Sequence, residues 1–186
     1  MLIGADSWYP PSQKVLNLLK EIEGFSFYGG YLNHWTYDDW RLIKRNGLHP
    51  LPIWIPDWSR SAVNQTTRSM RYARRQGLHG VVALDTTIGI TQLVANPFWV
   101  DDWCLTLNKR GWHPIEHSHY RHSSHSFVWL VMWGEHDELP RVGEAIQHGP
   151  YTLFDKSRHR LMKLVADVAD EHFPFATFTE PKRSMM

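Results

Sequence analysis

The chain of 186 residues contains a single cysteine, Cys104, so no internal disulfide can form and a small stapled secreted scaffold is excluded. Charge of one sign is equally lacking. Twenty Lys and Arg stand against 19 Asp and Glu, a net charge of +1, which is not the field of a general nucleic-acid binder. The 12 histidines tip this balance positive as pH falls through about 6.5. No apolar run approaches the roughly 20 residues of a membrane helix, and residues 1–6 have neither the basic n-region nor the long apolar h-region of an export signal. A soluble chain with no signal peptide and neither membrane nor nucleic acid as partner is expected.

Tryptophan, by contrast, is abundant, with 10 residues, several-fold above ordinary usage. Such rings either build a core or offer stacking platforms for flat or sugar-like ligands. The length suits one domain that buries its core without staples, expected over residues 1–178, with 179–186 as a flexible tail.

One pattern occurs three times: Lys44-Arg45-Asn46-Gly47-Leu48-His49, Arg74-Arg75-Gln76-Gly77-Leu78-His79 and Asn108-Lys109-Arg110-Gly111-Trp112-His113. Each reads as a helix's last turn, where cations suit the negative end of the dipole and glycine takes the left-handed position, followed directly by a strand. Gly24, closing 13–23, reads as an earlier copy. Start signals accompany these stops. Thr36-Tyr37-Asp38-Asp39 resembles a capping box, and Asn96-Pro97 offers an N-cap followed by proline at the first helical position. Leu161, Leu164, Val165 and Val168 have helical spacing and predict a fifth helix over 156–173.

Strands are predicted at 2–6, 25–32, 51–56, 80–86, 113–119, 127–133 and 144–148, with a weak eighth at 151–154. Several, such as Val81-Val82-Ala83-Leu84, are apolar on both parities, as in parallel strands covered on both faces. The segments 120–126 and 134–143 are too short and polar for good helices. The expected fold is therefore α/β: an irregular TIM-like (β/α) barrel with helices missing after strands 5 and 6, with an open doubly wound sheet as the alternative.

In either architecture ligands bind at the carboxyl ends of parallel strands. Those ends carry Asp6 and Trp8, Tyr31, Trp54 with Asp57 and Trp58, Asp85 with Thr87, Glu116, Trp133 with Glu135, and Gln147. Acids and amides that hydrogen-bond hydroxyls, beside rings that stack on C–H faces, suit a carbohydrate.

These residues bear a resemblance. Gly4-Ala5-Asp6-Ser7, Tyr28-Gly29-Gly30-Tyr31, Leu51-Pro52-Ile53-Trp54, Val82-Ala83-Leu84-Asp85 and Ala145-Ile146-Gln147, in that order, resemble family-25 lysozymes. They resemble still more the related glycoside-hydrolase-like domains of unknown function in actinobacteria and their phages. The resemblance spans residues 2–155 and implies an irregular β/α barrel that cleaves the glycan of the bacterial cell wall. It implies catalytic roles for an Asp on the first strand, here Asp6, and for an Asp-x-Glu pair on the fourth, of which Asp85 is present while Thr87 replaces the Glu. A hydroxyl cannot replace a carboxylic acid tuned to working pH, a contribution typically worth about 10²–10⁴ in rate. The pair thus reads as degenerate unless Asp57, Glu116 or Glu135 substitutes.

The expected site accordingly comprises Asp6, Asp85, Glu116 and Glu135 as catalytic candidates. Trp8, Tyr31, Trp54, Asp57, Trp58, Thr87, Trp133 and Gln147 are the expected binding residues. No cofactor is expected, and no metal either: His117, His119, His122 and His125 cluster, but no HExxH or cysteine-pair pattern accompanies them. The first expectation is a domain that binds or weakly hydrolyses cell-wall or surface glycan. The alternative is a non-catalytic structural or adhesion component of a phage tail, with virion proteins as partners. Localisation follows as virion-associated or phage-released, otherwise cytoplasmic.

Overall fold

The computed structural model describes residues 3–21, 25–86, 96, 98–118, 123–132, 159–160, 163–166 and 176–179. In chain order the elements are β1 (Ile3–Ser7), α1 (Gln13–Leu19), β2 (Phe25–Tyr31), α2 (Tyr37–Arg45), β3 (His49–Trp54), α3 (Ala62–Arg75), β4 (Leu78–His79), β5 (Val81–Asp85) and α4 (Trp99–Lys109). They continue with β6 (His113–Ser118), β7 (Phe127–Met132), β8 (His159–Arg160), β9 (Lys163–Ala166) and β10 (Thr177–Phe178).

Helices α1, α2 and α3 start where short polar side chains satisfy amide groups at the helix entry. Ser12 accepts from the Val15 N–H at 3.3 Å, and Ser61 from the Asn64 N–H at 3.3 Å. Before α2, the Asp39 carboxyl accepts from the Thr36 N–H at 2.6 Å and from its hydroxyl at 2.7 Å. The helices stop where the repeated pattern predicts. Gly47, Gly77 and Gly111 have φ of 76°, 74° and 72°, a region that a Cβ disfavours. Each releases the chain into the next strand.

The resulting fold is α/β with a mostly parallel sheet. Strands β1, β2, β3, β5, β6 and β7 run parallel in that order. β8 adds antiparallel to β1, and β9 antiparallel to β7. A second small sheet pairs β4 with β10. Val81, Val82, Ala83 and Leu84 are each 0% exposed, so β5 is covered on both faces as its unbroken apolar run requires. Tryptophan supplies much of the core: Trp35, Trp40 and Trp103 are among its largest fully buried side chains. Burying a large apolar side chain contributes roughly 1.5–3 kcal/mol, so these rings anchor α2 and α4 strongly.

Three expectations are corrected. The helix predicted over 156–173 is replaced at His159–Arg160 and Lys163–Ala166 by strands. The edges of β1 and β7 demand hydrogen-bonding partners, and Leu164-Val165 pairs with β7 as readily as it would line a helix. α4 begins at Trp99 with Phe98 at its N-cap, so the Asn96-Pro97 start lies outside the helix, although the Asn96 carbonyl accepts from the Trp99 N–H at 3.1 Å. α1 ends at Leu19 rather than running on to residue 23. The strands predicted at 144–148 and 151–154 lie outside the described residues. Among the described residues no helix is long and apolar enough to cross a membrane.

Candidate active site

The carboxyl ends of the parallel strands bring four polar side chains together. On β1, residues alternate in direction, so Asp6 and Ser7 face opposite sides of the sheet. Ser7 accepts from the Tyr28 hydroxyl at 2.9 Å on one side. On the other, the Tyr31 hydroxyl lies 3.4 Å from Asp6 Oδ2 and 3.2 Å from Asp85 Oδ2. Asp85 and His117 are register partners on β5 and β6, and therefore share this face. His117 spans the two acids: Nε2 is 3.8 Å from Asp6 Oδ1 and Nδ1 is 3.5 Å from Asp85 Oδ1.

Asp6, Asp85 and His117 are each 1% exposed. Burial alone pushes the His117 imidazole toward its neutral form, but hydrogen bonding and Coulomb attraction to Asp6 and Asp85 outweigh it and raise the pKa to about 9. A positively charged ring is thus held between two carboxyl groups. On the opposite face, burial pushes the Tyr28 phenol up, so it serves as a hydrogen-bond donor and not as an acid.

The rim is built by close packing. A Cβ on Gly30 would meet the Trp35 ring at 2.4 Å, so only glycine lets this indole lie against β2. Trp35 Nε1 then donates to the Trp8 carbonyl at 3.1 Å, fixing the turn after β1. Half-buried Trp8 stands over the site with its ring 4.9 Å from that of Tyr31 and 3.9 Å from His34. Trp8 is thus the partly accessible ring of this cluster, while the two acids beside it are buried.

Other expected site residues are placed elsewhere. Glu116 is turned to the opposite face from His117, toward α4, because neighbours on a strand alternate. There it accepts from the Ser123 N–H at 2.8 Å and from the Ser126 hydroxyl, while Ser123 Oγ donates to Asp101 at 2.5 Å. It ties down the segment after β6, and burial, reinforced by the Glu116 charge, pushes the Cys104 thiol up. Trp54 likewise faces α3: Nε1 donates to Gln65 at 3.1 Å, and the ring lies 5.5 Å from that of Tyr72. Asp57 is exposed and engages its own loop, accepting from Ser59 and, at 2.8 Å, from Arg60 Nε. The Ser59 hydroxyl, with Arg60 in support, holds its carboxyl below the usual range. Trp58 packs on Trp99 at 4.8 Å. Thr87, Trp133, Glu135 and Gln147, like His119 and His122, lie outside the described residues.

His117 is the site residue that the sequence reading assigned to no catalytic or binding role. On a strand buried on both faces, parity alone does not say whether residue 116 or 117 points to the ligand side. Alignment with β5, where Asp85 is in register with His117, supplies that signal. Among the described residues, no group of three or more His, Cys, Asp or Glu is arranged to hold a metal ion.

No family model matches the chain, and no curated protein does. Among solved structures, the chain is similar to an uncharacterized B. stearothermophilus protein at 19% identity and a TM-score of 0.52, over 63% of this chain and 60% of that one. The match therefore spans less than two thirds of that protein. At this identity the likeness speaks for an α/β fold alone.

Proposed function

We propose that the chain is a glycoside-hydrolase-like domain, related to family-25 lysozymes, that binds or weakly hydrolyses bacterial cell-wall or surface glycan. The supporting observation is that Asp6 and Asp85, from the first and fifth strands, meet at one hydroxyl of Tyr31 with the Trp8 ring alongside. The finer fold in this proposal is an irregular barrel. β8 flanks β1 and β9 flanks β7, with only residues 161–162 between them, so one late antiparallel segment would close the sheet.

The catalytic pair of this proposal is degenerate. Thr87 stands where the Glu would be, and Glu116 is committed to the other face of the sheet. Protonated His117 carries a proton between the two acids, but held by both of them it is a weak substitute for a free general acid. Binding with weak hydrolysis at most is the activity proposed. No cofactor enters this reading.

One observation favours a second reading, a structural or adhesion component of a phage tail: Asp6 and Asp85 are almost fully buried and already engaged by Tyr31 and His117. Purified protein incubated with isolated cell walls separates the two. Reducing-end release that Asp85→Asn abolishes supports hydrolysis, and co-sedimentation without release supports glycan binding. Absence of both release and co-sedimentation would overturn the glycan proposal in favour of assembly.

A further inference from the structure

Among the described residues three large apolar side chains are exposed: Tyr9 at 52%, Val63 at 49% and Phe98 at 71%. All three lie at the carboxyl end of the parallel strands. Tyr9 follows β1, Val63 is in the first turn of α3 after β3, and Phe98 opens α4 after β5. Exposed apolar residues scattered singly over a surface need no explanation, but these share the end of the sheet that carries Asp6 and Asp85.

Phe98 has no local reason for its position. It is the N-cap of α4, where Ser, Thr, Asp or Asn is favoured because a side-chain oxygen can accept from the first amide groups, and it makes no such bond. Nor does packing account for it. Its neighbour Trp99 is 3% exposed, lies 4.8 Å from the Trp58 ring and donates from Nε1 to the Arg60 carbonyl at 2.9 Å, so the helix entry is fixed while the Phe98 ring stands in water. A residue that breaks the local rule with no gain in capping or burial marks a functional position. Tyr9 is also carried on a fixed backbone. The buried Tyr28 hydroxyl donates to Ser7 Oγ at 2.9 Å, Ser7 Oγ donates on to the Tyr9 carbonyl at 2.5 Å, and Pro10 and Pro11 restrict the chain that follows. Rings on such supports lose little freedom when a ligand covers them.

We infer that Tyr9 and Phe98 are outer stacking platforms for a glycan strand, so that the site selects a run of several sugars over a single disaccharide. This rests on the glycan reading above and adds length selectivity to it. The two acids are each 1% exposed, and Asp57 and Arg60, exposed at the same end, are engaged with one another at 2.8 Å. Aromatic rings are what this end offers to a ligand, and their apolar faces suit the C–H faces of sugars. β2 and β3 lie between β1 and β5, at about 4.8 Å per step, so platforms beyond β1 and β5 serve successive sugars of one strand.

Competition against binding of the full chain to isolated cell walls tests this. Glycan strands of six or more sugars released from the same walls should displace the protein at a molar concentration at least about tenfold below that of the corresponding disaccharide. Each stacked ring adds about two- to tenfold. Tyr9→Ala and Phe98→Ala should each remove that factor from the strands while leaving the disaccharide and the melting temperature unchanged, and Phe98→Trp should restore it. Val63→Ala, an exposed aliphatic position at the same end, should compete like the parent. Equal displacement by strands and disaccharide, or unaltered competition in both alanine ring variants, overturns the inference. So does a loss with Val63→Ala as large as with Phe98→Ala, which would mean general apolar contact and not ring stacking. A parent that does not bind walls at all overturns the glycan reading itself, and the inference falls with it, so the two failures are told apart.

Discussion

Nδ1 of His117 lies 3.5 Å from Oδ1 of Asp85, and the two residues are register partners on adjacent parallel strands. β-pairing places the two residues side by side on one face of the sheet, so the ring meets the acid across the strand pair. Its pKa of about 9 in the folded chain exceeds the ordinary 6.5. A raised pKa means that the folded state holds the proton more tightly, so the stabilisation is complete below about pH 6.5 and is lost as pH rises through about 9. Urea midpoints should therefore fall between about pH 6.5 and pH 9.5, and His117→Gln should flatten that decline. Identical declines in both proteins would show that the ring carries no such charge.

Trp8 and Trp54 should separate binding from packing. Trp54→Ala should cost on the order of 3–5 kcal/mol, because the ring fills the space between β3 and α3. Trp8→Ala, at a half-buried rim position, should cost less but weaken co-sedimentation with cell walls. Thermal melts alongside the sedimentation assay check both, and a Trp8 variant that binds walls as well as the parent would remove this ring from the glycan site.

Glu116 should behave as a structural acid. Glu116→Ala leaves the Ser123 N–H without its acceptor in a buried setting, at about 1–3 kcal/mol, while the Ser126 hydroxyl keeps the Ser123 carbonyl at 3.1 Å. The melting temperature should drop by several degrees at this chain length. Wall binding by the folded variant should stay at the parent level; loss of binding without loss of stability would reassign the residue to the site.

Two helix-stop glycines predict unequal costs. Gly47 and Gly77 have nearly the same φ, 76° and 74°, but an added Cβ meets nothing within 4 Å at Gly47 and comes within 2.6 Å of the Thr179 carbonyl at Gly77. Gly47→Ala should cost about 1–2 kcal/mol, the penalty of the left-handed region. Gly77→Ala should cost more, since β10 must also shift. Equal melting temperatures would mean that the contact with residue 179 is not held in solution.

The repeated stop pattern made the alternation of helix and strand legible, because a left-handed glycine after a basic turn has few other uses. Asp6, Tyr31 and Asp85 were legible as strand-end residues, and parallel pairing gathers them. The inward residue of β6 was not legible: Glu116 and His117 are adjacent on a strand buried on both faces, and only register distinguishes them. Nor was the strand character of Lys163–Ala166, since four residues with a Leu-Val pair satisfy either period and the deciding force is the unfilled edge of a distant strand. Trp54 reads like Trp8 in one dimension, yet a single step in parity sends it to α3.

The pairing of β8 with β1 sets a clock on biosynthesis. Asp6 and Ser7 find Arg160 and His159 only after the ribosome has made some 150 further residues, which takes on the order of ten seconds. Until then one flank of the nascent chain's first strand, the strand that carries Asp6, displays bare amide and carbonyl groups to every neighbouring polypeptide. Conditions that lengthen this interval should cost soluble yield before they cost any property of the finished molecule.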